Sequence, residues 1–224
     1  MRLSVVIPTW CEAETVAACV AHARGIGDEV IVADACSPDG TARRASAAGA
    51  QVVEAPRGRG PQLDAGASAA RGDALLLLHA DTRLTAGARE AIEHALRDPA
   101  TVGGNFRLRF EPAGPWASLF AAANDLRRRA LGIYYGDSAI FVRREVHAAL
   151  GGFGDHPLME DYAFVRRLEQ TGRTAYVTHV EALSSARRFA DAPLRTLAVW
   201  ALVQGLYEVG VPTPWLARLY TDIR

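Results

Sequence analysis

The chain has 224 residues, half of them hydrophobic, enough to bury one sizeable core in a single domain with appendages. Its 25 basic and 25 acidic side chains cancel, so it lacks the electrostatic footprint of a nucleic-acid-binding protein. Every basic residue is arginine, which excludes lysine Schiff-base chemistry and a P-loop and leaves phosphate binding to Arg, backbone N–H groups, helix N-termini or a metal.

Leu3 to Ile7 is apolar and β-branched and reads as a strand. After the loop Pro8 to Glu12, the segment Glu14 to Ala23 carries Val16, Cys19, Val20 and Ala23 at helical spacing. Glu29 to Asp34 is a second strand, Ala35 to Gly40 a turn, and a helix runs on to Ala48. Gln51 to Ala55 is a third strand, and Arg57 to Gly60 form a loop. Pro61 then suits the start of a helix ending at Ala70. Ala74 to Leu78 makes a short buried fourth strand, with His79, Ala80 and Asp81 at its carboxyl edge. Strands joined by helical crossovers predict a parallel, doubly wound α/β sheet. Ligands of such sheets sit just outside the carboxyl ends of the strands. There the Asp81 carboxylate can reach a hard divalent cation. The competing role for Asp81 is to cap the helix read from Ala86 to Leu96.

The second half reads as an α+β continuation of the same sheet. Gly103 to Phe110 alternates Phe106, Leu108 and Phe110 with polar residues, as a strand with one buried face does. A helix from Trp116 to Leu131 follows, then a strand Ser138 to Val142 and helices at Arg144 to Leu150 and Asp161 to Gln170. The expected organisation is one domain over residues 1–224: a nucleotide-sugar half (1–100), an acceptor and catalytic half (101–192) and C-terminal helices (193–224). The helix segment Leu197 to Val211 is interrupted by Gln204 and Glu208. It reads as a packed amphipathic helix, with peripheral membrane contact at the inner face as a second reading.

Cys11, Cys19 and Cys36 are odd in number and lack CxxC spacing, which fits reduced thiols of a cytoplasmic protein. The N-terminal apolar run is too short for a signal peptide, and Pro8 ends it. His22, His94, His147, His156 and His179 show no metal-ligand spacing, so no zinc site is expected.

The order of these loops resembles the family 2 glycosyltransferases of the GT-A fold. Ser4 through Thr9 to Glu12 is similar to an opening SVIIPTxNE pattern, and Asp34 through Thr41 to DGGSTDGT. Gly58-Arg59-Gly60-Pro61-Gln62 with Asp64-Ala65-Gly66-Ala67 resembles GRGxQxNxGA, and His79-Ala80-Asp81 stands at the DXD position. Gly136-Asp137, Phe141 to Arg144, Gly151-Gly152-Phe153, Glu160-Asp161 and Ser185 to Phe189 complete the set. The last of these points to the subgroup that accompanies radical-SAM enzymes. Cys11, Pro38, His79 and Ser138 depart from the usual Asn, Thr, Asp and Gln.

The resemblance implies a metal-dependent, inverting glycosyltransferase that uses a nucleotide-sugar, with UDP the expected carrier and the acceptor unknown. Asp81 would hold Mn²⁺ or Mg²⁺, which neutralises the departing diphosphate. Pro8, Thr9, Glu12 and Asp34 would line the base pocket, Asp34 accepting the ring N–H of the base. Arg59 would reach the base or the diphosphate, and Arg188, with Arg187, the phosphates. His79 would touch the ribose, with metal ligation as its second role, and Ala80 would lie against the donor. Asp161 is the expected general base. Asp137, Gly152 and Glu160 would stand behind it or face the acceptor, Glu160 pointing elsewhere on its helix. Asn124 and Asp125 are expected on a helix surface, with facing the acceptor as their second reading. Two other readings compete: a nucleotidyltransferase, and a degenerate GT-A domain that binds nucleotide-sugar without turnover. A nucleotidyltransferase places its Gly/Arg-rich loop after the first strand, whereas here that loop comes after the third.

Overall fold

The computed structural model describes residues 1–188 and 192–223; the Arg188 side chain and Phe189 lie outside the described residues. The chain runs β1 (Leu3–Thr9), α1 (Val16–Arg24), β2 (Glu29–Asp34), α2 (Thr41–Ala47), β3 (Gln51–Glu54), α3 (Arg59–Ala69) and β4 (Ala74–Leu77). It continues through β5 (Thr82–Leu84), α4 (Ala88–Ala95), β6 (Thr101–Glu111), α5 (Pro115–Leu131), β7 (Ile140–Arg143) and α6 (Arg144–Ala149). The last elements are α7 (Glu160–Thr171), β8 (Arg173–Ser185), α8 (Pro193–Glu208) and α9 (Thr213–Ile223).

These strands form one sheet in the order β3-β2-β1-β4-β7-β6-β8-β5. β1 to β4 are parallel, β7 runs antiparallel to β4 and β6, and β8 lies parallel to β6. The expected doubly wound, mainly parallel sheet is what forms. β1 sits between β2 and β4 and is covered on both faces, hence its nearly continuous apolar run, in which the buried Ser4 donates its hydroxyl to Glu29. On one face α1, α2 and α4 bury Val16, Val20, Ala45 and Ile92 against Leu3, Val5, Ile7 and Leu76. On the other, α3 and α7 bury Leu63, Ala67, Phe164 and Leu168 against Val6, Leu75 and Leu77. The chain leaves β1 toward β2 and β3, then returns through α3 to β4 on the other side of β1. The carboxyl ends of β1 and β4 therefore flank the switch point where open α/β sheets bind ligands.

Two strands escape the sequence pattern. β5 has three residues, too few to show a period. β8 buries Val177, Val180 and Ala182, an uneven spacing, because its register against β6 slips between Phe106 and Arg107. The helix expected from Leu197 is α8, but it is not the packed amphipathic helix expected: Trp200 packs on the Leu108 and Phe110 cluster and Val203 is buried, while Leu194, Leu197 and Leu202 are exposed. No helix among the described residues is long and apolar enough to cross a membrane.

β5 is tied to α1 by the Leu84 N–H, which donates to His22 Nε2 at 3.0 Å. Burial, reinforced by Arg83, lowers the His22 pKa, and the accepting nitrogen requires a neutral ring. The folded state thus takes up its proton at lower pH than the unfolded chain. Stability from this contact is complete above the ordinary histidine value of about 6.5 and is lost as pH falls below it. Thermal unfolding followed from pH 7 to pH 5 should show a smaller loss of Tm in His22→Gln than in the wild type. Equal slopes would show that His22 does not carry the dependence.

Candidate active site

The parallel register sets Thr9 beside Asp34, so the polar ends of β1 and β2 share one rim. Asp34 is almost fully buried; its Oδ1 accepts from Thr9 Oγ1 at 2.8 Å and Ser37 Oγ at 2.7 Å, and its Oδ2 from Ser37 N–H at 2.7 Å. Asp34 therefore organises the rim as well as facing it. Gln62, to which the motif assigns no role, donates its Nε2 to the carbonyls of Thr9 at 2.6 Å and Ala33 at 2.9 Å. This buried amide clamps the two strand ends together. Pro8 lies within β1 opposite Ala33. Glu12 follows in the loop, where its Oε2 accepts from Thr15 Oγ1 at 2.8 Å at the entry to α1.

Four non-glycine residues among those described have positive φ: Cys11 (55°), Cys36 (58°), Ala139 (53°) and Met159 (65°). Cys11 and Cys36 lie two residues beyond the ends of β1 and β2, Ala139 just before β7, and Met159 just before Glu160 and Asp161. Such backbone is rare, costs of order 1–3 kcal/mol each, and tends to gather at functional sites. Met159 lines the cavity described below.

His79, Ala80 and Asp81 follow β4 in a turn closed by Thr82 N–H donating to the His79 carbonyl. Asp81 sits mostly buried, and its Oδ2 lies 3.3 Å from Arg187 Nη2. The same guanidinium is 3.6 Å from Glu12 Oε1. Arg187 thus spans two loops that the sequence keeps far apart. Cys19 lies beneath, its thiol donating to the His79 carbonyl and pushed up to about 12 by burial and then Asp81, so it stays protonated. Among the described residues no group of three or more His, Cys, Asp or Glu side chains could hold a metal ion. Mg²⁺-type sites with phosphate substrates take one or two carboxylates and fill the remaining positions with phosphate and water. The single, partly buried Asp81 carboxylate fits that kind of site.

Opposite this turn is the amino end of α7. Asp161 Oδ2 accepts from Gly136 N–H at 2.9 Å and Oδ1 from Tyr162 N–H at 2.8 Å. Gly136 has no room for a side chain: a Cβ there would lie 2.7 Å from His79 Nε2 and 3.4 Å from Asp161 Oδ2. The strand-end histidine and the helix-start carboxylate therefore meet across one glycine. Gly136 belongs to a short 3-10 turn, Gly136–Ser138, anchored from behind by a buried chain of contacts. Arg128 Nε donates to Asn105 Oδ1 at 2.7 Å, Asn105 Nδ2 to Ser138 Oγ at 3.2 Å, and Ser138 Oγ to the Tyr135 carbonyl at 2.6 Å.

Arg59 opens α3 and lies 3.1 Å from Glu160 Oε1. Desolvation works against its charge, but Glu160, Asp161 and Asp137 outweigh this and raise its pKa. Glu160 does not point away from the site, as its neighbour position on the helix suggested: both it and Asp161 are buried and line one cavity. The loop before them is fixed by Asp64, whose carboxylate accepts the N–H groups of Phe153 (2.9 Å) and Gly154 (3.0 Å). Gly152, at φ 69°, is where a Cβ would lie 2.3 Å from Asp64 Oδ1; it makes room for this clamp rather than facing the cavity.

The cavity measures about 160 Å³. It is lined by Arg59, His79, Asp137, Glu160 and Asp161, by Asn124 and Arg127 of α5, by Tyr135, and by Trp200, Val203 and Gln204 of α8. Asn124 thus lies on the cavity rather than on a plain helix surface, whereas Asp125 accepts from Tyr176 and pairs with Arg129. Asp81 and His79 share a smaller cleft with Asp137, Ser184 and Trp200. Thr9, Glu12 and Asp34 do not line the cavity; they lie on the adjoining rim. His179 is exposed on β8.

The chain matches the model of the family described as glycosyl transferase family 2 over residues 4–150. Solved structures share the fold. Mannosyl-3-phosphoglycerate synthase from Rubrobacter xylanophilus is 21% identical over 94% of this chain and 75% of its own, with a TM-score of 0.60. Glucosyl-3-phosphoglycerate synthase from Mycobacterium tuberculosis, in complex with Mn²⁺, UDP-glucose and phosphoglyceric acid, is 20% identical over 94% and 80%, with a TM-score of 0.63. S. aureus TarS 1–349 is 16% identical over 89% and 65%, with a TM-score of 0.66. At these identities the likeness is one of fold. No curated protein matches the chain.

Proposed function

The chain belongs to glycosyl transferase family 2, and from that membership we propose that it is an inverting, divalent-metal-dependent enzyme that moves a sugar from a UDP-linked donor to a hydroxyl acceptor. Membership sets aside the nucleotidyltransferase reading. The observation that carries the proposal is the meeting of the β4 turn and the α7 start across Gly136. The turn we assign to the donor and the carboxylate we assign as base thus lie together on the edge of a cavity that could take an acceptor.

In this reading the uracil base lies along Pro8, Thr9, Glu12 and Asp34, and the ribose near His79 and Ala80. Arg187 and Arg59 supply positive charge to the diphosphate, and Arg188 is assigned to the same task. Asp81 would hold Mn²⁺ or Mg²⁺, which when bound neutralises the charge on the leaving diphosphate. Asp161 takes the proton of the acceptor hydroxyl as its oxygen attacks the anomeric carbon from the face opposite the diphosphate. The new glycosidic bond forms, the bond to the β-phosphate oxygen breaks with its electron pair leaving on UDP, and the proton ends on Asp161. One base suffices, and no carboxylate nucleophile is required. Glu160, paired with Arg59, holds that arginine in place. The UDP and Mn²⁺ complexes of the Mycobacterium tuberculosis synthase support the choice of donor and metal.

A thermal-shift panel of UDP-, GDP- and ADP-sugars with and without Mn²⁺ tests the reading. A ligand at 100 times its Kd stabilises by about 2.7 kcal/mol, which for a chain this size is roughly 5–10 °C. UDP-sugars with Mn²⁺ should give that shift, and slow hydrolysis of the same donor would separate an active enzyme from a degenerate binding domain. No shift with UDP-sugars, or the same shift without Mn²⁺, would overturn the assignment.

A further inference from the structure

The cavity holds on the order of five water volumes, so it suits a small acceptor or one end of a larger one. Its lining carries two arginines, Arg59 and Arg127, and three carboxylates, Asp137, Glu160 and Asp161. Arg59 is already matched by Glu160 at 3.1 Å. Arg127, also on the lining, has no carboxylate within ion-pair distance among the described residues, and its buried Nε has no hydrogen-bond partner among them. Its guanidinium is nevertheless held in place by neutral groups. Nη2 donates to Asn124 Oδ1 at 3.0 Å, Nη1 reaches Tyr135 Oη at 3.4 Å, and the group lies 5.3 Å from the centre of the Tyr135 ring. Tyr135 is fixed in turn by donating to Gln204 Oε1 at 2.9 Å.

A cation set in advance and lacking a counter-charge is a recognition element for an anion, because little side-chain freedom remains to be lost on binding. We propose that Arg127 binds an anionic group of the acceptor, a carboxylate or a phosphate, and that the acceptor is a small hydroxy acid or phosphorylated polyol. The inference rests on the glycosyltransferase reading only in that the hydroxyl of the same molecule would reach Asp161 in the same cavity. Trp200 and Val203 of α8 give that molecule an apolar side to lie against. Asn124 and Gln204 are positioning residues, acting through Arg127 and Tyr135.

Calorimetric titration of the full chain with glycerate, glycerol 3-phosphate and glycerol, each with and without UDP and Mn²⁺, tests this. The two anions should bind and glycerol should not. Arg127→Gln should weaken anion binding by at least about 10-fold, as expected for loss of a charge-assisted hydrogen bond, and Arg127→Lys should recover part of it. UDP affinity should be the same in all three proteins. Vesicles of phosphatidylglycerol serve as a lipid-borne arm and should compete poorly with glycerol 3-phosphate. Anion binding unchanged in Arg127→Gln, equal binding of glycerol, no anion binding by the wild type, or preference for the vesicles would overturn the proposal. Anion binding that depends on Arg127 while UDP fails to bind would count against the donor assignment and leave Arg127 as an anion site.

Discussion

Asp161→Asn should lower the transfer rate by roughly 10²- to 10⁴-fold, the loss expected for a positioned acid–base group. Donor affinity should change little, because a general base acts on the acceptor hydroxyl in the transition state and the donor is assigned to the Asp34 and Asp81 side of the rim. The substitution is not free of structural cost. Both carboxylate oxygens of Asp161 accept backbone N–H groups, from Gly136 and Tyr162. An amide supplies one oxygen and must turn its NH₂ toward the other donor, at a cost of about 1–3 kcal/mol. UDP titration and thermal unfolding of the variant therefore accompany the rate measurement. A folded variant with normal UDP affinity and a rate down by two or more orders of magnitude is the expected result.

A split between kcat and KM separates loss of a base from loss of position. Asp161→Asn should lower kcat with little change in the KM for acceptor, whereas a variant that merely misplaces the acceptor raises that KM. Near-normal transfer by Asp161→Asn would refute the role. Glu160, on the same cavity and 3.1 Å from Arg59, would then be the carboxylate to test.

The sequence displays the sheet's parallel half because its strands are buried on both faces and read as plain apolar runs, Leu3 to Ile7 and Ala74 to Leu78. Strand ends located in this way put Thr9, Asp34 and Asp81 near one another with no knowledge of side-chain contacts. β5 and β8 lay beyond that kind of reading, one too short and the other slipped in register. The site is legible to the same degree. Residues carried by strand ends could be placed, but partners supplied by helices could not. A helical period gives the apolar face of α5 without saying that Asn124 and Arg127 close a cavity over Asp161. The roles of Gln62, which clamps two carbonyls, and of Gly136, wedged between His79 and Asp161, come from contacts between segments far apart in the chain. Motif spacing holds no information about either. Glu160 shows the limit from the other side. Adjacent helix positions point about 100° apart, yet a cavity that wraps the start of α7 touches both carboxylates.

Asp81→Ala should remove the dependence of nucleotide affinity on divalent metal and leave the fold intact. In the free protein Asp81 pairs with Arg187, whose side chain is more than half exposed. Pairs of that kind add little, about 0–1 kcal/mol, and Arg187 keeps Glu12 as a second partner, so Tm should move by no more than a few degrees. Nucleotide binding responds differently. With the carboxylate gone, a divalent ion loses the ligand assigned to it at this strand end, and UDP should bind the variant equally well with Mn²⁺, with Mg²⁺ or with chelator. Charge stabilisation by a metal is worth several kcal/mol in the transition state, so transfer should fall by on the order of 10³-fold. His79 makes the test sharper, because it shares the small cleft with Asp81 and is the other side chain at the DXD position able to ligate an ion. If His79 carries the metal, Asp81→Ala retains Mn²⁺-enhanced UDP binding by calorimetry and His79→Ala loses it. If Asp81 carries it, the pattern reverses, and His79→Ala weakens UDP binding to the same extent with and without Mn²⁺, as loss of a ribose contact would. Undiminished metal enhancement in both variants would place the ion elsewhere and remove Asp81 from the mechanism.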